Sequence, residues 1–215
     1  MLWTEAALFT VLLAVTALWG QWSGEHFLPY APELFYWADG LTVQSVIWVL
    51  PALLYLRCRR PPIRWQLEEL VRSPFPLRDA LMVACLFACA QNTIRLLVHA
   101  DAVVYAPFRT VFIPVIIGAG VTEEFFFRGF LFNRMMAVWP AWAAVLGSSV
   151  CFLLYHYPEL FIGMTVTELL CARSLLLLTM GTVFALLLKR TRNLPVCMLL
   201  HGFWNLLSYL FVLYV

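Results

Sequence analysis

Three charged side chains interrupt one long apolar segment of the sequence. Glu123, Glu124 and Arg128 lie in VTEEFFFRGF, where every other residue except Thr122 and the glycine is apolar. Glu124 and Arg128 are four residues apart and share one face of a helix, the spacing of an ion pair. Glu123 points about 100° away from Glu124 on a helix. A buried ion pair that only fixes helix packing would explain Glu124 and Arg128, but it gives Glu123 no purpose. A carboxylate in an apolar helix that is not required for this ion pair is typical of a general base.

Two later apolar segments each carry a histidine in a polar pattern. His156 follows Phe152 by four residues in CFLLYHYPE, and His201 precedes Asn205 by four residues in HGFWN. A single histidine near the end of an apolar helix usually lies at an interface. Ionisable residues inside apolar spans nevertheless mark functional sites by default. His201 and Asn205 give the stronger indication because two polar groups share one face of an otherwise apolar helix.

The depth of these residues can be compared by counting from a turn. Glu123 lies 16 residues before Trp139, and His156 lies 16 residues after Pro140. If the chain makes a helical hairpin at this turn, Glu123 and His156 lie at one depth and can face each other. The rise of about 1.5 Å per residue places His201 shallower than His156. Convergence of all three therefore requires a sixth helix that is short, tilted or partly re-entrant.

The elements that must position these residues are apolar helices. The chain has 215 residues, of which 63% are hydrophobic and 12% charged, and its net charge of +2 gives no reason to expect a nucleic-acid partner. Runs of roughly 20 apolar residues are long enough to span a bilayer. We predict an all-α, polytopic transmembrane bundle of about seven spanning helices, in one membrane domain over residues 1–215. The seven predicted segments are Leu2–Trp19, Leu41–Leu56, Leu77–His99, Phe108–Met136, Ala141–Tyr157, Glu168–Leu188 and Pro195–Tyr214. The fourth is long enough to break or tilt after Arg128.

Basic residues in short loops predict the orientation. If seven helices alternate, three basic regions fall on one side: Arg57 to Arg78 after the second segment, Arg128 and Arg134 late in the fourth, and Lys189 to Arg192 after the sixth. The loop after the first segment carries acidic residues and no Lys or Arg. We therefore expect a cytoplasmic N-terminus. The first segment lacks a basic start and a cleavage site, so we expect it to be retained.

Three further stretches are polar or amphipathic. Trp22–Trp37 and Arg64–Phe75 mix aromatic or aliphatic residues with charges and are expected to lie in the headgroup region. On the third segment, Gln91, Arg95 and His99 recur at four-residue spacing. This stripe would suit a polar cavity or a substrate carboxylate, and it would equally suit side chains that extend to the outer interface.

The three motifs EExxxR, FxxxH and HxxxN, in this order and each on its own apolar segment, resemble the CPBP family. That family includes the type II CAAX prenyl endopeptidases and bacterial relatives, some linked to bacteriocin immunity or protein sorting. The resemblance covers the fourth to seventh segments, about residues 108–214, and leaves about residues 1–100 unmatched. It implies an intramembrane endopeptidase that hydrolyses a peptide bond in a membrane-anchored or lipid-modified protein.

The resemblance also implies a role for each motif residue. The catalytic residues would be Glu123, His156, His201 and Asn205. The residues that support the site would be Glu124, Arg128 and Phe152. Glu123 and His156 would activate a water for attack on a peptide carbonyl. His201 and Asn205 would stabilise the oxyanion, and donors placed at a developing negative charge are worth about 3 kcal/mol.

Two alternatives to a metal-free protease are a zinc-dependent enzyme and a protein without catalytic activity. Two histidines and two glutamates are enough to bind zinc in number, but EExxxR is not the HExxH arrangement of a zinc helix. We therefore predict a glutamic mechanism without a cofactor, with a zinc-dependent membrane protease as the alternative. A non-catalytic relative, such as an immunity factor or a sorting partner, is a second alternative, although every motif residue is present. A proton-coupled transporter would be expected to show repeated halves, and the sequence has no convincing repeat.

The predicted topology also bears on location and substrate. His156 falls near the outer end of its helix, so we expect the site to open outside the cytoplasm. That favours a sorting or maturation protease over an enzyme for prenylated cytoplasmic C-termini. The bilayer and a membrane-anchored or lipidated protein are the expected partners, and a bacterial inner membrane is the expected location.

Overall fold

The computed structural model describes residues 3–98, 112–160 and 174–210, and every regular element in these ranges is helical. We label the α-helices in chain order as α1 (Trp3–His26), α2 (Pro32–Trp37), α3 (Leu50–Arg59), α4 (Leu67–Arg72), α5 (Leu77–Val98), α6 (Phe112–Glu124), α7 (Asn133–Met135), α8 (Ala141–Leu160), α9 (Ser174–Thr191) and α10 (Leu194–Leu210). Two π-helical stretches, Ala38–Val43 and Ser45–Val49, connect α2 to α3, and a third, Phe125–Phe132, connects α6 to α7. The prediction of an all-α bundle is confirmed.

The helices cover the described parts of all seven predicted segments, with different limits. The first runs to His26 instead of ending at Trp19, and the second is one continuous helix over Glu33–Arg59 instead of beginning at Leu41. Pro32 lies in the first turn of α2, where a missing N–H costs no hydrogen bond. The predicted ends at Phe108, Glu168 and Tyr214 lie outside the described residues.

Three helices are long and apolar enough to cross a bilayer: Trp3–His26, Glu33–Arg59 and Ser174–Thr191. Two shorter apolar helices, Ala141–Tyr157 and Leu194–Ser208, accompany them. Large apolar side chains such as Trp142 and Leu199 are exposed on the outside of the bundle, which a bilayer tolerates and water does not. The chain is an integral membrane protein.

The predicted basic regions meet at one end of the bundle. The side-chain amide of Asn193, after α9, donates to the carbonyl of Ser73 at 2.7 Å, and Arg134 donates to the carbonyl of Pro62 at 2.9 Å. Arg190 pairs with Asp79 at 2.6 Å. Arg134 and the other two regions therefore lie at one end of the bundle, whereas Arg128 is buried in the interior. The side of the membrane on which this end lies stays a prediction.

Two contacts at this end were not predicted from the sequence. Arg134 is buried and pairs with Glu5 at a distance of 2.6 Å, because a carboxylate at the start of α1 reaches it. The Arg64–Phe75 stretch buries Trp65 and Leu70, and the backbone N–H of Trp65 donates to the side chain of Asn133 at 2.9 Å. This stretch therefore packs against the protein through Trp65 and Leu70, whereas its Val71 and Phe75 side chains are exposed. Its location in the headgroup region stays a prediction.

The turn between α9 and α10 is fixed by its own residues. Arg192 ends α9 with a positive φ of 51°, the left-handed conformation common after a helix C-terminus. Asn193 then caps α10: its side-chain oxygen accepts a hydrogen bond from the N–H of Val196 at 2.9 Å. This cap sets where α10 begins, and so where His201 lies along the bundle.

A glycine lets α6 approach α10 closely. A Cβ on Gly120 would lie 2.7 Å from the carbonyl oxygen of Met198 and 3.1 Å from the nitrogen of Gly202. Small residues at such crossings allow helix backbones in membranes to pack closely. The helix that carries Glu123 is thereby held against the helix that carries His201.

Aromatic side chains form the core around the third π-helical stretch. Phe126 and Phe127 are buried and pack with Trp48 at ring-centroid distances of 4.7 and 6.1 Å. Phe127 also packs on Phe152 of α8 at 5.2 Å. This packing excludes water from the segment that follows Glu124, as the run of phenylalanines predicts.

Candidate active site

Glu123 lies in the last turn of α6, and two histidines converge on it. Its Oε2 atom lies 3.8 Å from Nε2 of His156 on α8 and 3.7 Å from Nε2 of His201 on α10. The side chains of His156 and Glu123 keep 20% and 11% of their surface exposed, whereas that of His201 keeps 5%. The predicted depth match between Glu123 and His156 is therefore confirmed. His201 reaches the same level, which residue counting left open.

Phe152 orients the ring of His156. The carbonyl oxygen of Phe152 lies 2.9 Å from Nδ1 of His156. A carbonyl can only accept, so Nδ1 carries the hydrogen, and Nε2 of the neutral ring presents its lone pair toward Glu123. The Phe152 ring also packs against the His156 ring at 4.7 Å. Phe152 thus fixes both the tautomer and the direction of His156.

Glu124 connects His201 to Arg128. Its Oε1 atom lies 2.8 Å from Nδ1 of His201 and 3.1 Å from Nη1 of Arg128. The ion pair predicted from the four-residue spacing is therefore present, with side-chain exposures of 0% and 1%. The spacing gave no sign of the contact with His201, which is 77 residues away along the chain. Glu124 directs Nε2 of His201 toward Glu123.

Arg128 lies in an aromatic enclosure with few hydrogen-bond acceptors. Its Nη2 atom donates to the carbonyl of Gly181 at 3.3 Å. Its guanidinium carbon lies 4.4 Å from the ring centre of Phe152 and 5.3 Å from that of Phe184. Within the described part of the chain, Nε and Nη1 of Arg128 and Oε2 of Glu124 have no hydrogen-bond partner. The charges of this pair are thus shielded from water and only partly satisfied.

A family model described as "Type II CAAX prenyl endopeptidase Rce1-like" matches residues 105–207. This segment of the chain, called the Rce1-like segment below, is similar to that family. The resemblance drawn from the three motifs is therefore confirmed, and the description is that of an endopeptidase family. No curated protein and no solved structure matches the chain significantly.

The Rce1-like segment contains every predicted site residue, but the structure does not bring all of them together. Glu123, Glu124, His156 and His201 are in contact or face one another. Asn205 lies one turn after His201 on α10 and is partly buried. Its side chain makes no hydrogen bond with the residues that the structure describes.

The fourth predicted segment has a π-helical stretch around Arg128, where a break or tilt after this residue was expected. The Rce1-like segment passes from α-helix to π-helix at Phe125 and returns to α-helix at Asn133, with Arg128 inside the π-helical stretch. Such stretches are often found at functional sites. No periodicity in the sequence predicts it.

The stripe on the third segment lies partly outside the described structure. The Gln91 side chain on α5 donates to the hydroxyl of Ser208 on α10 at 2.6 Å. The side chain of Arg95 and the whole of His99 are not among the described positions. Gln91 therefore contacts the helix that carries His201 and Asn205, toward the far end of that helix.

The site also has neighbours from outside the Rce1-like segment. Trp48 and Gln44, on the helix that continues into α3, lie against Tyr155, the residue before His156. Sequence reasoning did not select them. The position of Gln44, a polar residue within the second apolar segment, could have indicated it, whereas nothing in the sequence marks Trp48 or Tyr155.

A metal site was the alternative to a cofactor-free mechanism. Among the described residues, no group of three or more His, Cys, Asp or Glu side chains has an arrangement that could hold a metal ion. Both Nδ1 atoms at the site are already hydrogen-bonded, one to the Phe152 carbonyl and one to Glu124.

Proposed function

We propose that this chain is an intramembrane endopeptidase of glutamic type, which hydrolyses a peptide bond in a membrane-anchored or lipid-modified protein. The observation that carries the proposal is the convergence of two imidazole Nε2 atoms on one carboxylate oxygen, Oε2 of Glu123, at 3.7 and 3.8 Å. Contacts of this length leave room for a water beside them that bonds to more than one of these groups. The similarity of residues 105–207 to an endopeptidase family supports the same conclusion.

In the proposed reaction, Glu123 takes the proton of a water that is also hydrogen-bonded to Nε2 of His156. The resulting hydroxide attacks the carbonyl carbon of the substrate, and the carbonyl oxygen becomes an oxyanion. When the C–N bond breaks, the proton held by Glu123 passes to the leaving nitrogen, so that one carboxyl and one amino terminus are released. A general base in this position contributes roughly 10²- to 10⁴-fold.

His201 and Asn205 are proposed to stabilise the oxyanion. Because Nδ1 of His201 is bonded to the Glu124 carboxylate, its Nε2 atom can donate only when the ring carries both protons. We propose that His201 acts in this form. Asn205 would add its side-chain amide from the next turn of α10. A single donor of this kind is worth about 3 kcal/mol.

Glu124 and Arg128 are proposed to organise the site without touching substrate. Arg128 pairs with Glu124, and Glu124 holds the His201 ring. The surrounding phenylalanine rings exclude water, so each electrostatic interaction is stronger than it would be in solvent. The site requires no metal in this proposal.

Location and topology complete the proposal. The basic residues gather at one end of the bundle, which supports a cytoplasmic location for that end and for the N-terminus. Glu123 and His156 each lie 16 residues from the Trp139–Pro140 turn at this end, or about 24 Å along a helix. The site therefore opens near the opposite, extracytoplasmic face, in a bacterial inner membrane.

Cysteine labelling tests this orientation. An impermeant reagent should label single cysteines introduced near residue 164 in intact cells, and labelling only after lysis would contradict the proposal.

Cleavage by purified variants tests the catalytic assignment. Glu123→Gln and His156→Ala should each lower cleavage in a library of membrane-anchored peptides by at least about 10²-fold. Glu25→Gln and His26→Ala change the same residue types at exposed positions on α1 and should behave as the wild type. Wild-type rates in both site variants would overturn the assignment. Activity lost with a chelator and restored by zinc would replace the glutamic mechanism with a metal mechanism.

A further inference from the structure

The ring of His156 is packed between two aromatic side chains. Phe152 contacts it from one turn before, and Tyr155 meets it edge-on, with the ring centres 4.9 Å apart and the planes 87° apart. The single hydrogen bond at Nδ1 is to a carbonyl of the same helix. It leaves the ring some freedom to tilt about that bond. The position of Nε2 opposite Glu123 therefore depends on the rings on either side.

Tyr155 is itself held by a helix that lies outside the Rce1-like segment. It is 8% exposed, and its hydroxyl donates to the side-chain oxygen of Gln44 at 3.4 Å. The indole of Trp48, one turn after Gln44, packs edge-on against the Tyr155 ring at 5.0 Å. Trp48 is almost completely buried, so this contact leaves Tyr155 little room to move.

A polar chain fixes the orientation of Gln44. Its amide nitrogen donates to Oδ2 of Asp39 at 3.4 Å, and Oδ1 of Asp39 accepts from the indole nitrogen of Trp19 at 2.6 Å. Since the carboxylate can only accept, the amide nitrogen of Gln44 must face Asp39 and its oxygen must face Tyr155. An acidic residue within an apolar span requires such donors. The chain thus runs from α1 through the Glu33–Arg59 helix to the residue beside His156.

We propose that Tyr155, held in place by Gln44 and Trp48, is a positioning residue that fixes the imidazole of His156, so that the helices before residue 105 complete the active site. This inference rests on the proposed proteolytic function. It gives the N-terminal helices a role in the reaction, in addition to their role in the bundle.

Three variants measure this role by the steady-state kinetics of peptide cleavage. Tyr155→Ala removes the ring that holds His156 and should lower kcat about 10-fold or more, because small displacements of catalytic groups are costly. KM should stay within about two-fold, since Tyr155 acts through His156 and not on substrate. Tyr155→Phe keeps the ring and should lose less of the rate than Tyr155→Ala, and a second ring variant, Tyr155→Trp, should lie between the two.

A double-substitution cycle isolates the hydrogen bond. Tyr155→Phe and Gln44→Leu should each lower kcat about three- to five-fold, as expected for a loss of about 1 kcal/mol. The double variant should be no worse than the poorer single one, because both remove the same bond. Ser45→Ala is the matched control, since its hydroxyl bonds only to the carbonyl of Leu41 on its own helix; it should keep the wild-type rate.

The outcomes separate this inference from the proposed function. If Glu123→Gln is inactive and Tyr155→Ala cleaves at the wild-type rate, the positioning role is wrong and the proteolytic function stands. If Glu123→Gln cleaves normally, the proposed function itself fails. Equal losses of kcat in Tyr155→Phe and Tyr155→Ala, or a rise in KM with kcat unchanged, would also overturn the positioning role. Each variant's melting temperature is measured, and rates are taken per folded molecule.

Discussion

Two buried ion pairs lie on the same helical segment, six residues apart, and they differ in how fully they are satisfied. Arg128 pairs with Glu124 in the site, and Arg134 pairs with Glu5 at the basic end of the bundle. Both arginines are 1% exposed. Arg134 is bonded through Nε to Glu5 at 2.6 Å and through Nη1 to the Pro62 carbonyl at 2.9 Å. Arg128 has one hydrogen bond, to Gly181 at 3.3 Å, among the described residues.

This difference in hydrogen bonding indicates that the two ion pairs serve different purposes. A buried charge is costly unless it is paired and hydrogen-bonded. The Glu5–Arg134 pair meets this requirement, as expected of a contact that joins α1 to the end of the site helix. The Glu124–Arg128 pair meets it only in part, while one oxygen of Glu124 also serves His201. Buried polar atoms that are left unsatisfied call for an explanation, and the position of this pair beside Glu123 and the two histidines favours a functional one.

The largest effect is expected from unpairing Arg134. Glu5→Leu leaves a buried guanidinium without its carboxylate and should lower the free energy of unfolding by about 3–5 kcal/mol. Chemical unfolding in detergent micelles measures it, with Glu25→Gln as the exposed control. Cleavage per folded molecule should be unchanged. A loss of activity without a loss of stability would show that this pair belongs to the site and would remove the contrast.

The next effect comes from replacing both members of the site pair. Glu124→Leu with Arg128→Met removes the buried charges together, so the variant should fold with a stability within about 2 kcal/mol of the wild type. Its rate should nevertheless fall roughly 100-fold, about 2.7 kcal/mol in barrier height, because His201 loses the group that orients it. A folded variant with the wild-type rate would show that the pair only supports packing.

The same contrast shows what the sequence could predict. Local spacing predicted the Glu124–Arg128 pair, because four residues along a helix bring two side chains onto one face. It could not predict Glu5–Arg134, whose partners are 129 residues apart. From the sequence, Arg134 was counted only among the basic residues that predict the orientation. Only the packing of α1 against the bundle reveals its burial.

Some features of the candidate site could likewise be predicted from the sequence, and others could not. Counting from the Trp139–Pro140 turn placed Glu123 opposite His156, since helices joined by a short turn run antiparallel. The same counting did not place His201, because its depth depends on the tilt of α10 and on the close approach at Gly120. The π-helical winding at Phe125–Phe132 leaves no pattern in the residues. The helices themselves follow from apolar composition, and only their ends differ.

A smaller effect is expected from the hydroxyl that completes the Glu5 pair. Thr4 donates to Oε2 of Glu5 at 3.0 Å. Thr4→Val keeps the shape of the side chain, removes this donor together with the contact to the Tyr55 hydroxyl at 2.9 Å, and should lower the free energy of unfolding by about 1 kcal/mol. Tyr55→Phe removes the second contact alone and separates the two contributions. Thr16→Val is the matched control, because among the described residues the Thr16 hydroxyl bonds to the carbonyl of Leu12 on the same helix. Equal effects in Thr4→Val and Thr16→Val would mean that the Glu5 pair does not depend on its third partner.

The smallest change in stability is expected when both members of the Glu5–Arg134 pair are replaced together. Glu5→Leu with Arg134→Met removes both charges of the satisfied pair, and the two apolar side chains can fill similar volumes. The carbonyl of Pro62 loses its donor, but Pro62 is exposed and water can replace it. The double variant should therefore unfold within about 1 kcal/mol of the wild type, whereas Glu5→Leu alone loses several times more. Its cleavage rate should also be that of the wild type, unlike the corresponding exchange at Glu124 and Arg128. If instead the double variant were inactive at normal stability, the two pairs would be parts of one network that runs along the helix from Glu124 to Arg134.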